Sequence, residues 1–149
     1  MRDRLYFEDF RVGDRFRTGA YTLGREEVLS FARVYDPQPF HLDDDAAEAS
    51  VFGGLAASGW HTAAITIRLL VLGEPKIAGG IVGRVIEQLE WPRPVRPGDT
   101  LRVDSEVLDA RPSRSRPGGK VRMLSRTLNQ DDAVVQAMTA LLLVPSRPA

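Results

Sequence analysis

The sequence predicts one α+β domain in which a curved antiparallel β-sheet wraps around a long central helix. Residues 59–73 are apolar nearly all round, with Arg68 as the only charge, and such a helix is typical of one surrounded by protein. After Pro75 the hydrophobic period changes from that of a helix to that of strands. Helices followed by a run of strands favour the α+β class.

A first helix is predicted over residues 25–35, where apolar side chains recur at i, i+3, i+4 and i+7. Gly24 can serve as its N-cap. Pro37 disfavours helical geometry at the residue before it, so the helix should end by about Tyr35.

A second, short helix is predicted within residues 44–50, capped by Asp43 or Asp44. Residues 52–59 follow as FGGLAASG, which is too rich in glycine for regular structure. The long helix 59–73 therefore begins directly after an irregular loop.

The remaining segments read as strands and turns. Strand-like runs cover residues 14–23, 77–91, 100–110, 120–129 and 133–144. Pro97-Gly98-Asp99 predicts a type II turn, and residues 129–132 predict a hairpin connection. Residues 111–119 are basic and rich in proline and glycine, which predicts a flexible loop between strands.

The length, net charge and composition of the chain limit the functions that it can have. At 149 residues, the chain is expected to form a single domain over residues 1–149. Its formal net charge of zero argues against a nucleic-acid or anionic-membrane partner. It has no apolar run long enough to span a membrane and no signal-peptide pattern at the start, so we expect a cytoplasmic protein. It has no cysteine, which excludes disulfides and tells nothing about the redox compartment.

The stretch YDPQPFHLDDD, residues 35–45, holds one of only two histidines. Pro37 and Pro39 fix their own φ angles and keep the preceding residues extended. Asp36 and His41 are therefore carried on a stiff, non-helical loop. From the residues alone this loop is either a rigid turn or a catalytic pair.

The wider pattern resembles the MaoC-like dehydratases, which include the (R)-specific enoyl-CoA hydratases and have the hot-dog fold. The family motif reads roughly Asp-x-Asn-Pro-x-His-x-Asp, with a glycine eighteen residues after the histidine. Asp36, Pro39, His41 and Asp43 match that motif, and Gly59 stands at the expected distance. WPRPVRPGDTLRV, residues 91–103, is also similar to a strand-turn-strand unit of the family.

The resemblance implies reversible hydration of a 2-enoyl-CoA, with dehydration of a 3-hydroxyacyl-CoA as the reverse reaction. Asp36 and His41 would hold the water and share the acid and base roles. The backbone N–H of Gly59 would stabilise the enolate oxygen, because a helix N-terminus offers unpaired donors there. The coenzyme A thioester is then the substrate, and no cofactor is implied.

Two residues depart from the family pattern. Gln38 stands where the hydratases usually have asparagine, and Ser58 stands where they usually have histidine. Both are candidate substrate-binding or oxyanion-binding residues beside Gly59. Because glutamine is one methylene longer than asparagine, its hydrogen bond should be displaced, which affects the substrate more than the fold.

Other candidates have structural interpretations. We interpret His61 as packed or hydrogen-bonded near the site, Trp60 and Trp91 as core or subunit interface, and Asp43 as the cap of the short helix. A zinc-like metal site is not expected, since two histidines are too few for its ligands.

The basic loop offers a possible contact for coenzyme A. Arg114 and Arg116, with Arg111 and Lys120 beside them, are candidate partners for its phosphates, because the guanidinium fork suits phosphate oxygens. The alternative is that this charged loop is simply solvated.

Two other functions remain open. One is a non-catalytic acyl-CoA-binding protein that kept the fold. The other is an acyl-CoA thioesterase, although residues 59–73 contain no carboxylate of the kind that many hot-dog thioesterases place on the central helix.

A single sheet layer leaves an open edge, so at least a homodimer is expected.

Overall fold

The computed structural model describes residues 3–149. Its helices are α1 (Arg25–Tyr35), α2 (Asp44–Glu48) and α3 (Gly59–Leu72). Single 3₁₀ turns occur at Phe7–Asp9 and Pro39–His41. Within the described residues, none of the helices is both long and apolar enough to span a membrane.

The strands form one curved antiparallel sheet beside a two-stranded parallel ribbon. They are β1 (Arg4–Leu5), β2 (Arg15–Arg17), β3 (Tyr21–Thr22), β4 (Lys76–Ile77), β5 (Val82–Glu90), β6 (Thr100–Pro112), β7 (Gly119–Leu128) and β8 (Val134–Val144). The sheet order is β2-β6-β7-β8-β5, β3 also pairs with β6, and β1 pairs with β4. This sheet curves against α3, which confirms the α+β class and the hot-dog arrangement.

Capping residues and prolines in the sequence correctly predicted the start and end of α1 and the start of α2. The Gly24 carbonyl accepts from the Val28 N–H at 3.2 Å and opens α1, as predicted. Asp36 is the C-cap residue of α1, so the helix ends at Tyr35. Asp43 caps α2, because its side chain accepts from the Ala46 N–H at 2.8 Å.

Two predicted strand-and-loop boundaries are wrong. The run 14–23 divides into β2 and β3, because the Thr18 hydroxyl accepts from the Val103 N–H in place of a backbone carbonyl. The loop predicted at 111–119 is shorter. Arg111 pairs with Lys120 and Pro112 with Gly119, so β6 and β7 extend into it.

The chain itself surrounds α3 on one side only. One face is buried: His61, Thr62, Ile65, Thr66 and Leu69. The opposite face stays exposed, because a single sheet covers only one side of a helix. It continues into the edge strand β5, and this α3–β5 surface comprises Trp60, Ile67, Val71, Leu72, Val82, Val85, Ile86 and Trp91.

Trp60 and Trp91 belong to that surface and not to the core. They are 59% and 40% exposed and pack edge to face with ring centroids 5.2 Å apart. Their placement in a subunit interface stays a prediction.

A buried polar chain joins α3 to the sheet beneath it. The Thr66 hydroxyl on α3 lies 2.6 Å from the Thr127 hydroxyl on β7 and accepts from Gln136 Nε2 on β8 at 3.1 Å. Gln136 Oε1 in turn accepts from the Trp91 indole N–H at 2.9 Å. Buried polar groups that satisfy one another fix the position of the elements that carry them.

Candidate active site

Asp36 and His41 are held by backbone that has little freedom. The Asp36 N–H donates to the Ala32 carbonyl at 2.9 Å, which closes the end of α1. The Gln38 carbonyl accepts from the His41 N–H at 2.9 Å within the proline-stiffened turn. The two side chains therefore approach each other from fixed positions, as a catalytic pair requires.

The carboxylate and the imidazole are in direct contact. His41 Nε2 lies 3.2 Å from Asp36 Oδ2, and His41 is 4% exposed. The other ring nitrogen, Nδ1, lies 2.7 Å from the Ala56 carbonyl. Because a carbonyl only accepts, Nδ1 carries a proton, and Nε2 is the atom that can exchange one with Asp36 or a bound molecule.

Both residues that depart from the family pattern bind this carboxylate. Ser58 Oγ donates to Asp36 Oδ2 at 2.7 Å, and Gln38 Nε2 donates to Asp36 Oδ1 at 2.5 Å. Ser58 also accepts from the Trp60 N–H at 3.2 Å and so caps the start of α3. The Gln38 amide therefore lies against Asp36, and direct contact of either residue with substrate stays a prediction.

The environment keeps Asp36 ionised. Burial has the largest influence on its pKa and raises it. The hydrogen bonds from Ser58 and Gln38, with the charge and hydrogen bond of His41, together outweigh burial, so the pKa of Asp36 lies below its ordinary value. Such a carboxylate is available as a proton acceptor at neutral pH.

Gly59 begins α3 beside this pair. Within residues 3–149 its N–H has no hydrogen-bond partner, as expected of the first donor in a helix. A Cβ at this position would lie 2.6 Å from Cε2 of the Trp91 indole. Glycine is therefore required by the packing of Trp91, and the unpaired N–H remains available to a bound oxygen.

Comparison with known proteins identifies the family of the chain. Residues 9–135 match the family model described as "MaoC like domain". The chain belongs to the MaoC-like family. A MaoC-like dehydratase structure from Rhodospirillum rubrum is 51% identical, covers 97% of this chain and 99% of its own, and superposes with a TM-score of 0.93.

Two further relatives have more specific descriptions. The 3-hydroxybutyryl-CoA dehydratase of Methylorubrum extorquens is 33% identical over 144 residues, which is 96% of this chain and 86% of that protein. The R-hydratase PhaJ1 of Pseudomonas aeruginosa, solved unliganded, is 26% identical with a TM-score of 0.77, over 97% of this chain and 88% of its own.

In this MaoC-like chain, Arg96 holds the loop that orients His41. Its guanidinium donates to the Gly54 carbonyl at 2.7 Å and to the carbonyls of Leu55 and Phe52. The next carbonyl along the loop, that of Ala56, is the one that binds His41. Sequence analysis missed Arg96, since only the folded chain brings it to a loop some forty residues away.

His61 lies close to the site but outside the pair. Its ring stacks on Phe31 of α1, with centroids 4.4 Å apart and planes 5° apart. Burial lowers its pKa, and a nearby Glu27 opposes that shift. The packing interpretation is confirmed, and Nδ1 of His61 is buried with no hydrogen-bond partner in the described part of the chain.

A cavity of about 570 Å³ lies between α3 and the sheet, and its walls are mostly apolar. Ala63, Ile67 and Leu70 line it from the helix. With Gly59 they form one row along α3, at successive spacings of three or four residues. Gly59 thus stands at the N-terminal end of a row whose later members line the cavity, and it does not line the cavity itself.

The structure does not bring Arg114 and Arg116 to this site within one chain. They lie on the exposed hairpin 113–118, at the end of the sheet where Gly119, Val144 and Val82 are aligned. The opposite end of β5 leads to Trp91 and Gly59. A strand of that length spans about 30 Å.

We expect Ser58→Ala to lower stability in a pH-dependent way. The lowered pKa of Asp36 means that its ionised form stabilises the fold above its unfolded value of about 3.9, and that this is lost as pH falls through the lower folded value. Losing the Ser58 bond raises that pKa. The variant should be less stable by about 1–3 kcal/mol near pH 7, with a smaller gap below pH 4.

Urea unfolding of the wild type and of Ser58→Ala, from near pH 7 to below pH 4, measures the difference in their free energies of unfolding. Ser50→Ala is the control, because the Ser50 hydroxyl donates to a backbone carbonyl and not to a carboxylate. Its gap to wild type should not vary with pH. A Ser58→Ala gap that is equally constant would contradict the assigned ionisation of Asp36.

Proposed function

We propose that this protein is a hydro-lyase that reversibly hydrates 2-enoyl-CoA esters to 3-hydroxyacyl-CoA esters. The observation that carries the proposal is the 3.2 Å contact between Asp36 Oδ2 and His41 Nε2, beside the unpaired Gly59 N–H. An acid–base pair next to an oxyanion donor is what addition of water to an enoyl thioester needs. The description of the Methylorubrum relative as a 3-hydroxybutyryl-CoA dehydratase supports the same reaction.

The proposed proton movements use the groups that the structure places together. A water held at the two side chains loses a proton to the Asp36–His41 pair as its oxygen attacks the β-carbon. The enolate oxygen accepts a hydrogen bond from the Gly59 N–H, and the pair returns the proton to the α-carbon. That return restores both groups, and dehydration follows the same steps in reverse.

The cavity accommodates the acyl group. A thioester carbonyl at the Gly59 N–H places the acyl chain along the row of Ala63, Ile67 and Leu70. Apolar walls suit a hydrocarbon chain, because its transfer out of water is favourable. The substrate class that fits is therefore an acyl thioester and not a polar metabolite.

The two alternatives have less support. A binding-only protein would not need a carboxylate and an imidazole with their exchangeable atoms in contact. A thioesterase would need a base or nucleophile aimed at the thioester carbonyl, and α3 carries no carboxylate. Release of free thiol from acyl-CoA would favour the thioesterase.

Replacing either member of the pair should abolish hydration. With crotonyl-CoA and longer enoyl-CoA esters, Asp36→Asn and His41→Ala should each lose roughly 10²-fold or more in kcat, the usual contribution of one general acid–base group. Loss of enoyl absorbance measures the rate. Asp45→Asn is the matched control, since Asp45 is an exposed residue of α2.

Hydration by the wild type and the control but not by the two variants would establish the reaction and the pair. Activity that survives in Asp36→Asn and His41→Ala would remove both from the mechanism.

We also propose that the α3–β5 surface pairs two copies of the chain. β5 is the sheet edge, and an exposed apolar edge strand is open to pairing with another strand. Isologous contact about a two-fold axis joins two β5 strands antiparallel and covers the exposed face of α3. The partner would be a second copy of this chain.

Light scattering at micromolar concentration should give twice the mass of the chain. Val85→Asp places a charge on the exposed edge of β5 and should yield a monomer, whereas Val12→Asp, exposed on a loop, should not. A monomeric wild type would rule out this interface.

Antiparallel pairing of the two β5 strands would allow Arg114 and Arg116 of one copy to reach the site of the other. It places the Val82 end of one β5 beside the Glu90 end of the other, so the hairpin of one copy approaches the site of its partner. We propose that Arg114 and Arg116 contact the coenzyme A phosphates from the neighbouring copy. Charge-assisted hydrogen bonds of arginine to phosphate are strong enough for their loss to be measurable.

Arg114→Ala/Arg116→Ala should raise KM about tenfold or more, as expected for loss of charge-assisted bonds. Co-expression of this double variant with Asp36→Asn should restore activity at low substrate concentration, because one site per mixed dimer is then intact. Co-expression of Asp36→Asn with His41→Ala should restore no activity, because each copy then carries a damaged acid–base pair. An unchanged KM in the double variant would rule out the phosphate contact. A raised KM that co-expression with Asp36→Asn does not correct would mean that the arginines serve the site of their own chain.

A further inference from the structure

The inner face of the sheet carries polar side chains in two successive rows. The row nearer to Trp91 comprises Val103, Thr127 and Gln136. The next row comprises Phe16, Ser105, Ser125 and Met138. Each row is two residues along the strands from the other, a distance of about 7 Å.

The polar side chains of the first row are hydrogen-bonded to α3 and to Trp91. Thr127 binds the Thr66 hydroxyl of α3, and Gln136 joins Thr66 to the Trp91 indole. These polar groups satisfy one another and face no open volume. Their role is to hold the helix on the sheet.

The second row is different. The Ser105 and Ser125 hydroxyls lie 2.8 Å apart and, within residues 3–149, have no other hydrogen-bond partner. They are 4% and 3% exposed, and both line the 570 Å³ cavity. Two hydroxyls offer two O–H donors, and their mutual bond uses one. One donor and several lone pairs are therefore left at the wall of a mostly apolar cavity, whose lining also includes the charged residues Arg4, Arg17, Glu74 and Lys76.

This arrangement discriminates between acyl groups. A plain hydrocarbon chain would strip water from the serines without replacing its hydrogen bonds, which is costly for buried hydroxyls. A carboxylate would lose its own hydration against two neutral hydroxyls, which is costlier still. An uncharged oxygen, as a hydroxyl or a carbonyl, both fits the cavity and completes the pair.

We propose that Ser105 and Ser125 select acyl groups that carry an uncharged oxygen substituent far from the thioester. This rests on the proposed function for the location of the thioester at Gly59. Gly59 and Thr66 are separated by about 10 Å along the helix, and the serine row lies one step beyond the level of Thr66. The oxygen therefore lies on the order of 10 Å or more from the thioester carbonyl.

The test compares straight-chain 2-enoyl-CoA esters with their ω-hydroxy analogues over a series of chain lengths. At one length, or a narrow range of lengths, wild type should prefer the ω-hydroxy ester at least tenfold in kcat/KM. Ser105→Ala/Ser125→Ala should abolish that preference while leaving or raising kcat/KM for the unsubstituted ester. A site that hydrogen-bonds a substrate hydroxyl rejects the analogue that lacks it, whereas an apolar pocket does not.

Met138→Leu is the matched control. It changes a neighbour of Ser125 in the same row without removing a hydrogen-bonding group, so both esters should be affected alike. Calorimetric binding of saturated acyl-CoA esters, with and without an ω-hydroxyl, gives a readout that needs no turnover. Binding selectivity that disappears in the double variant would support the serine pair even if hydration failed.

Two results would overturn the inference: no chain length at which wild type favours the hydroxylated ester in turnover or binding, or a preference that survives in Ser105→Ala/Ser125→Ala.

Discussion

The Ser58 hydroxyl is the link on which the site depends. It caps α3 by accepting from the Trp60 N–H and donates to the Asp36 carboxylate, which ends α1. One side chain therefore fixes the distance between the Asp36 carboxylate and the Gly59 N–H that begins the long helix. Because a helix end and a partly buried carboxylate both need hydrogen bonds, one residue that serves both couples the geometry of the site to the stability of the fold.

The imidazole is fixed by a separate set of contacts. The Arg96 guanidinium holds the carbonyls of the glycine-rich loop, and the Ala56 carbonyl of that loop sets which nitrogen of His41 faces Asp36. A loop of small residues has little side-chain packing of its own, so an arginine that binds several of its carbonyls supplies the rigidity. Preorganised groups need little rearrangement during a reaction, which is the basis of electrostatic catalysis.

Sequence alone predicted what depends on neighbours along the chain. The ends of α1 and α2, the stiff loop of Asp36 and His41, and the start of α3 at Gly59 follow from caps, prolines and spacing. The Ser58 contact with Asp36 and the Arg96 clamp were not predictable in this way, since each needs segments distant in sequence to be packed first. The Gln38 contact with Asp36 is local, but the sequence does not tell which group the Gln38 amide binds. The exposed face of α3 was missed because apolar periodicity cannot tell whether a helix is covered by its own chain or by another.

The residues proposed for the reaction and those proposed for the choice of substrate lie in different parts of the structure. The groups proposed for chemistry gather at the start of α3, whereas the cavity opens along its later turns and has the serine pair in its wall on the sheet. Thr66, bonded to the first polar row, marks the boundary between these two regions. Changes beyond that boundary can alter cavity shape and polarity without moving Asp36, His41 or the Gly59 N–H. A fold divided in this way can retain one reaction while its acyl specificity varies.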